Sequence, residues 1–244
     1  IVHVHTTSDA IKWMIRHDYE KNPGIEPGDI FCNNDPHIGD VHNTDVQTIV
    51  PIFWEGELVA WAAGITHEVD IGASTPGGDP VGPTSRFDDG FDIPAQKIGT
   101  NDTLHQDYVE RAEMGVRTPD LWKLDERCRL AGCHMIRDAV HSLIEEEGID
   151  TYKRFIQEVI EDGRRDFKNR LEELTVPGEY EAPTFSDVPL EGEQGLPRQA
   201  ANNEMMHAPL NVEIGSDRSF ELDFDGANSQ GQHVFNCTPS ALQG

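Results

Sequence analysis

The sequence predicts an α+β fold of β-hairpins and a mixed sheet, combined with a helical hairpin at about 121–174. Two observations support this prediction. Segments rich in β-branched and aromatic residues are joined by short turns that contain Gly, and farther along the chain apolar residues recur at helical spacing. We therefore expect a β-rich part at 1–118, the helical hairpin at 119–175, and a linker with a second β-hairpin at 176–244.

The N-terminal segment predicts a strand, a helix and another strand. Residues 1–6 alternate in polarity, which predicts a short strand with His3 and His5 on one face. These two histidines could reach a metal ion, or they could form the polar face of an edge strand. A helix should follow and end at the Asn-Pro-Gly sequence of 22–24, before a strand at 30–32.

A β-hairpin is the clearest predicted element. Residues 46–54 and 58–66 are rich in Val, Ile, Phe, Trp and Thr, and the connection at 55–56 contains Gly. Folding the chain about this turn pairs residues whose numbers sum to about 111, because antiparallel strands pair in opposite directions. In this register Asp45 would face Thr66.

The open end of this hairpin is a candidate metal site. Three His-x-x-Asp spacings lie close together in the sequence, at His37/Asp40, His42/Asp45 and His67/Asp70. The hairpin would bring the last two together, so that two imidazoles and one or two carboxylates converge. Such a set favours a divalent ion of Mn, Fe or Zn. The alternative is a solvated polar loop, since His and Asp are common in this chain.

Two neighbouring segments could support such a site. Asp35, in an Asn-Asn-Asp-Pro turn, is either a structural turn residue or a partner that orients a ligand histidine. The segment 72–94 is too rich in Gly, Pro and small polar residues to form a regular element. It would be either a lid over the site or an irregular surface loop.

The C-terminal half predicts two helices and another hairpin. An apolar stripe at helical spacing opens near Leu121, and a second helix should begin at Asp150 after a short Gly-containing connection. The Pro- and Gly-rich segment 176–203 predicts a connecting linker. Two alternating segments, 207–214 and 219–225, then predict the second β-hairpin.

The composition excludes several classes of partner. The net charge is −26, which argues against nucleic acid or an anionic membrane surface as a partner. No stretch has the apolar length of a membrane span, and the four cysteines form no C-x-x-C pair, so we expect a cytoplasmic protein. The sequence contains neither G-x-x-x-x-G-K-[ST] nor G-x-G-x-x-G, so a partner chain would have to bind any nucleotide.

The run at 28–46 resembles the hydantoinase B/oxoprolinase family, whose pattern is close to GD-x-F-x-x-NDP-x-x-G-x-x-H-x-x-D. Further stretches at 49–56, 66–67 and 124–137 narrow the resemblance to the alpha subunits of acetone carboxylases within that family. Family alpha subunits are much longer, and the chain begins at Ile1 without a start Met. We therefore expect it to be a fragment, incomplete at both termini.

The resemblance implies an enzyme that joins acetone and bicarbonate into acetoacetate with consumption of ATP. This would be a carboxylase that forms a carbon–carbon bond and is active only with partner subunits. A beta subunit similar to hydantoinase A would bind ATP, and a small gamma subunit would complete the complex. The cofactor of the alpha subunit would be Mn²⁺.

The resemblance also implies roles for individual residues. The manganese ligands would be His42, Asp45 and His67. Asp70, together with Asp35 and His37, would orient these ligands or add to them. No residue is assigned to a catalytic step.

Two other functions stay open. The same family contains ATP-dependent hydantoinases and 5-oxoprolinases, in which the metal would polarise an amide and activate water. Alternatively, the chain could be a non-catalytic segment that docks subunits, with its His and Asp residues forming only a polar loop.

Overall fold

The computed structural model describes residues 2–77, 85–187, 205–229 and 236–244. The chain divides into two compact units. The first comprises Ile1–Leu143 and Val234–Gly244, and the second comprises Ile144–His233. Each unit contains its own antiparallel sheet with helices beside it in sequence, which confirms the predicted α+β class.

The first unit is built on a five-stranded antiparallel sheet with the strand order β3-β2-β1-β4-β5. Its strands are β1 (Ile30–Asn33), β2 (Asp45–Trp54), β3 (Glu57–His67), β4 (Gln96–Thr100) and β5 (Thr103–Leu104). Its helices are α1 (Val2–Arg16), α2 (Pro36–Gly39), α3 (Gln106–Gly115), most of α4 (Pro119–Glu147) and, at the C-terminus, α6 (Pro239–Gln243).

Helices cover both faces of this sheet. Phe31 and Ile49 pack with Ala10 and Met14 of α1 on one face. The alternate side chains of the same strands, such as Cys32, pack with residues of α3 and α4 on the other face. Because successive strand residues point to opposite faces, two cores explain why β1 and β2 are buried along nearly their whole length.

Helix α1 corrects the prediction of a strand at 1–6, because it already begins at Val2. Its buried residues Thr6, Ala10 and Met14 lie four residues apart, which is helical spacing. Gly39 permits close packing at this point, since a Cβ atom there would lie only 2.5 Å from the backbone nitrogen of Ala10. Packing thus overrides the local alternation that predicted a strand.

Helix α4 packs closely against strand β3. A Cβ atom at Gly64 would lie 3.0 Å from the backbone oxygen of Arg129. Glycine in β3 therefore allows the helix backbone to approach the strand. The sequence predicted no regular element for the segment that forms β4, β5 and α3. These three elements belong to the first unit.

The second unit contains α5 (Ile149–Leu174) and a three-stranded antiparallel sheet with the order β6-β7-β8. Its strands are β6 (Gly178–Asp187), β7 (Met205–Ile214) and β8 (Phe220–Asp223). The predicted hairpin forms as β7 and β8. Both predicted helices form as α4 and α5, with Gly148 between them; their packing as a helical hairpin stays a prediction.

Strand β6 corrects the prediction of a linker at 176–203. It pairs with β7 along its whole length, from Gly178 opposite Ile214 to Asp187 opposite Met205. The sequence does not predict this strand because it contains Pro and several Glu residues, which are uncommon in strands. Pro is acceptable here because β6 lies at the edge of the sheet, where its missing N–H breaks no required hydrogen bond. The remainder of the predicted linker, 188–203, lies outside the described residues.

Among the described residues, none forms a helix that is both long enough and apolar enough to cross a membrane.

Candidate metal centre

The β2–β3 hairpin forms around the predicted turn. Glu55 and Gly56 both adopt positive φ values, 49° and 86°, in the two-residue connection. Turns of this kind match the right-handed twist of the flanking strands and therefore favour a tight hairpin. The far end of the hairpin, where Asp45 begins β2 and His67 ends β3, carries the candidate ligands.

The register at that end differs from the prediction by one residue. Next to the turn, Phe53 pairs with Leu58, as predicted. A β-bulge beyond this pair shifts the register, because one strand gains an extra residue. Asp45 consequently lies opposite His67, whereas the prediction placed it opposite Thr66. Since directly opposed residues project from the same face, the bulge places the His67 side chain beside Asp45.

His42 reaches the same carboxylate from the turn between α2 and β2. The backbone N–H of Asp45 donates to the carbonyl of His42 at 3.1 Å, and Thr44 Oγ1 lies 3.0 Å from His42 Nδ1. The buried side-chain amide of Asn34 fixes this turn, because it donates to the Asn43 carbonyl at 2.9 Å. Asn34, the first residue of the Asn-Asp-Pro motif, thus positions the segment that carries the candidate ligand His42.

The three predicted ligands come together in the structure. His42 Nε2 lies 2.8 Å from Asp45 Oδ2, and His67 Nδ1 lies 3.0 Å from Asp45 Oδ1. The two imidazole rings have their centroids 4.9 Å apart. Each histidine therefore faces a different oxygen of one carboxylate.

Asp45 is held in its charged form. Burial acts to raise the pKa of Asp45, but the hydrogen bond and charge of His42 and the hydrogen bond of His67 outweigh it, so that the pKa lies below its ordinary value. The side chain of Asp45 is only 8% exposed, while those of His42 and His67 are 37% and 55% exposed. The carboxylate is thus anchored inside the protein, and solvent can reach both imidazoles.

This donor set fits a divalent first-row metal ion. Two imidazole nitrogens and a carboxylate oxygen, one donor atom from each residue, lie within 4.8 Å of one another. The separations of 2.8 and 3.0 Å run to different oxygens of Asp45 and are also those of hydrogen bonds, so they show proximity of the three side chains. The exposed histidine edges leave room for a substrate or water ligand.

Asp70 has partners other than the three candidate ligands. Asp70 Oδ1 accepts from the Arg117 guanidinium at 2.5 Å, and Asp70 Oδ2 accepts from the backbone N–H of Arg117 at 2.6 Å. The buried Asp70 also accepts from the backbone N–H of Gly72 at 3.3 Å. It anchors the chain beyond β3, and its hydrogen bonds among the described residues go to Arg117 and Gly72.

Asp35 and His37 belong to the start of helix α2. Asp35 caps that helix by accepting from the backbone N–H of His37 at 2.9 Å, and its other oxygen accepts from Arg86 at 3.1 Å. The His37 side chain is exposed. Of the two interpretations of Asp35, the geometry matches the structural turn residue.

The Gly/Pro loop at 72–94 is described only in part, because 78–84 lie outside the described residues. Its second half contains a short 3₁₀ helix, Arg86–Asp89, and Arg86 pairs with Asp92 at 2.7 Å. The role of this loop as a lid stays a prediction.

Sequence reasoning missed a buried ion-pair network behind His67. Arg129 of α4 is 2% exposed and donates to the side chains of Thr66 and Glu68, the two residues that flank His67. It also donates to Glu126 at 2.9 Å. The available signal was a Glu-x-x-Arg spacing on the buried face of a predicted helix, where charged residues need partners.

Further hydrogen bonds complete this network. Glu126 accepts from the hydroxyl of Thr48 at 2.6 Å and from that of Tyr108 at 2.7 Å. Burial raises the pKa of Glu68, and the charge of Arg129 only partly offsets this effect. The network fixes the β3 end from the face opposite the candidate ligands, because alternate residues of the strand point to opposite faces.

Comparisons with known proteins match this architecture. The chain matches the family model described as hydantoinase B/oxoprolinase over residues 1–243. It is 46% identical over 238 residues to the acetone carboxylase alpha subunit of Xanthobacter autotrophicus, covering 97% of this chain and 31% of that protein. It is also 36% identical over 169 residues to the acetophenone carboxylase delta subunit of Aromatoleum aromaticum, covering 67% of this chain and 24% of that protein.

The fold of this chain is also similar to that of a solved structure. The nucleotide-free structure of acetone carboxylase, from work on the mechanism of ATP-dependent acetone carboxylation, matches with a TM-score of 0.93 at 43% sequence identity. The match covers 100% of this chain and 32% of the other. The chain therefore spans less than a third of the length of each of these relatives.

Proposed function

This chain belongs to the hydantoinase B/oxoprolinase family, and on this premise we propose that it is the metal-binding part of an ATP-dependent carboxylase that converts acetone and bicarbonate into acetoacetate. Acetone and acetophenone, which name the two reported relatives, are both methyl ketones. The identity is 46% with the acetone enzyme and 36% with the acetophenone enzyme, which favours the smaller ketone.

One observation carries the metal-binding part of this proposal. Two imidazoles and a buried, charged carboxylate meet at the end of the β2–β3 hairpin, with donor atoms within 4.8 Å of one another. His42, Asp45 and His67 would hold Mn²⁺, for which imidazole and carboxylate are suitable donors. When bound, the ion would act as a Lewis acid on a substrate oxygen and favour negative charge that develops there.

The residues of this chain prepare the site for that chemistry. Asp45 supplies the fixed negative charge, and its burial limits its motion. His42 and His67 present solvent-accessible edges, which lets a ketone or bicarbonate oxygen approach from the open side. Arg129 restrains both neighbours of His67 and so orients its imidazole. Ligands that are held in place before substrate arrives cost little reorganisation during the reaction.

Partner subunits are part of the proposal. The sequence contains no motif that cradles phosphates, so ATP would bind to a beta subunit similar to hydantoinase A. A small gamma subunit would complete a cytoplasmic complex. The activity would therefore belong to the assembled complex, and each test uses it with the full-length subunit.

The reaction type is tested by the dependence of ATP consumption on bicarbonate. The complete complex is supplied with acetone and ATP, with and without isotopically labelled bicarbonate. We expect ATP consumption to require bicarbonate and the label to appear in the carboxylate of acetoacetate. Consumption that needs no bicarbonate and accompanies opening of a hydantoin or 5-oxoproline ring would establish the amidohydrolase function in its place.

The metal site is tested by elemental analysis of the same complex. We expect near-stoichiometric manganese in the native complex and its loss in the His42→Ala/His67→Ala double variant. His17→Ala is a matched control, because His17 lies just beyond α1 and stacks on Trp13. Metal and activity that survive the double change would favour the non-catalytic docking segment.

A further inference from the structure

Asn43, the residue after the candidate ligand His42, is held by a segment that lies far away in the sequence. Asn43 is 5% exposed, and its side-chain amide donates to Asp92 Oδ1 at 2.9 Å. Asp92 lies 49 residues farther along the chain, in the second half of the Gly/Pro loop at 72–94. Its side chain is 20% exposed, so solvent competes little with this hydrogen bond.

A guanidinium occupies the other oxygen of Asp92. Arg86 Nη2 donates to Asp92 Oδ2 at 2.7 Å and to Asp35 Oδ2 at 3.1 Å. Asp35 in turn caps helix α2 by accepting from the backbone N–H of His37. Charge-assisted hydrogen bonds of this kind are directional. Arg86 therefore fixes the Asp92 carboxylate in the orientation that leaves Oδ1 for Asn43.

The buried Asn34 attaches the same segment to the same turn through the backbone. Its side-chain amide donates to the Asn43 carbonyl at 2.9 Å and to the Phe91 carbonyl at 3.2 Å. Its side-chain oxygen accepts from the backbone N–H of Ile93 at 2.6 Å. Asn43 is thus held by its side chain and by its carbonyl, which restrains the turn that carries His42.

We propose that Asp92 is a positioning residue for His42, that it acts through Asn43, and that Arg86 holds Asp92 in this role. The inference rests on the proposed function, since His42 is one of the ligands that we assign to Mn²⁺. Asp92 acts as a partner behind the ligand and not as a ligand itself. This gives the described part of the loop, at 86–93, a role that differs from that of a lid, because it is exerted before substrate binds.

His42 needs this support more than His67 does. His67 ends strand β3, where pairing with Asp45 and the contacts of Arg129 hold the strand in place. His42 lies in the turn before β2, outside the paired strands, and its side chain is 37% exposed. Residues that orient a ligand from behind typically change metal affinity by about 10–100-fold when they are replaced.

The test is a double-mutant cycle on the complete complex. Asp92→Ala and Asn43→Ala should each lower manganese affinity by about 10–100-fold, measured by competition with a chelator. The double variant should lose no more than the larger single loss, because both changes remove the same interaction. The electron paramagnetic resonance spectrum of the bound Mn²⁺ should broaden in all three variants, since the ligand geometry becomes less uniform.

Asp102→Ala is the matched control. Asp102 is also a loop carboxylate that pairs with an arginine, Arg137, at 2.7 Å. Its removal should leave both the manganese affinity and the spectrum unchanged. Asp92→Asn keeps an oxygen that can accept from Asn43, so it should recover part of the lost affinity. A purely structural role of Asp92 would lower thermal stability without altering the spectrum of the bound ion.

The outcomes separate this inference from the proposed function. Native affinity and spectrum in Asp92→Ala overturn the positioning role and leave the manganese site intact. Losses that add up in the double variant show that Asp92 does not act through Asn43, which also overturns it. If Asp92→Ala does not assemble, Asn43→Ala decides alone, and unchanged affinity there overturns the inference. Absence of manganese from the native complex overturns the proposed function itself.

Discussion

At Asp45, one carboxylate contacts two imidazoles through different oxygens and lies near a third. His42 Nε2 is 2.8 Å from Oδ2, His67 Nδ1 is 3.0 Å from Oδ1, and His3 Nε2 is 3.9 Å from Oδ2. The lowered pKa of Asp45 results from hydrogen bonds and charges that overcome the opposing effect of burial. Asp45 is thus the common partner of the His42 and His67 imidazoles.

Asp45→Asn tests this role at the residue scale. The amide has nearly the same size but removes the charge that compensates a cation, so we expect manganese affinity to fall at least about 100-fold. The measurement is competition with a chelator of known affinity in the complete complex. Asp102→Asn is the control, since the Asp102 carboxylate pairs with Arg137 and His134 of helix α4. An unchanged affinity in Asp45→Asn would contradict the proposed manganese site.

At the scale of elements, the end of β3 is fixed by helix α4. Arg129 donates to Thr66 and Glu68 on either side of His67, and also to Glu126. Helix α4 can approach β3 closely because Gly64 of β3 has no side chain. Strand β3, which ends at the candidate ligand His67, and helix α4 therefore act as one structural element.

Arg129→Met should release this restraint. The substitution leaves the buried carboxylates of Glu68 and Glu126 without their cation. We therefore expect the free energy of unfolding to fall by about 3–5 kcal/mol. Manganese affinity should fall as well, because His67 loses the anchors on both sides. Arg129→Lys should recover part of both losses. The readouts are denaturant unfolding and metal competition.

The control for this change lies on the same helix. Arg137 pairs with Asp102 at 2.7 Å, but the carboxylate is 41% exposed, so Arg137→Met should cost at most about 1 kcal/mol and leave metal affinity unchanged. If Arg129→Met and Arg137→Met have the same metal affinity, Arg129 does not position His67.

The contact between α1 and α2 gives another prediction at this scale. In Gly39→Ala, the added methyl group would meet backbone atoms of Thr6 and Ala10 at 2.6 and 2.5 Å, so the helices must separate. We expect a loss of about 1–3 kcal/mol in unfolding free energy.

Gly132→Ala is a matched control for that change. Gly132 lies within α4, and a Cβ atom there meets nothing within 4 Å. Alanine should stabilise the helix by up to about 1 kcal/mol, because it is the better helix former. Equal effects of the two substitutions on thermal unfolding would show that α1 does not pack tightly on Gly39.

At the scale of the whole molecule, charge is the dominant feature. The net charge of −26 repels nucleic acids and anionic surfaces and attracts small cations. A specific site must therefore be separated experimentally from general attraction of cations. General attraction is screened by salt, whereas coordination by imidazole and carboxylate depends on the identity of the ion.

Thermal and chemical stability should report specific binding. At a free Mn²⁺ concentration of about 100 times the dissociation constant, one site should stabilise the folded subunit by about 2.7 kcal/mol. The measurement is unfolding with and without Mn²⁺, at constant ionic strength. Mg²⁺ at the same concentration should give a smaller effect, since it prefers oxygen ligands. Stabilisation that persists in His42→Ala/His67→Ala would indicate general cation attraction only.

Several features followed from the sequence alone. The strands around 55–56, the turn itself and the meeting of His42, Asp45 and His67 were predicted from composition and spacing. These features depend on neighbouring residues: β-branched and aromatic side chains favour strands, Gly permits the turn, and a hairpin joins residues close in sequence. The family membership, carried by the motif at 28–46, is confirmed.

Other features required the tertiary structure. The bulge that places His67 opposite Asp45, the helix in place of a strand at 1–6, and the strand β6 follow from packing and pairing with distant segments. The burial of Arg129 and Asp40 likewise depends on partners far away in the sequence. Local sequence thus determined which candidate ligands the chain carries. Only long-range packing, which sets register and burial, decided how they are arranged.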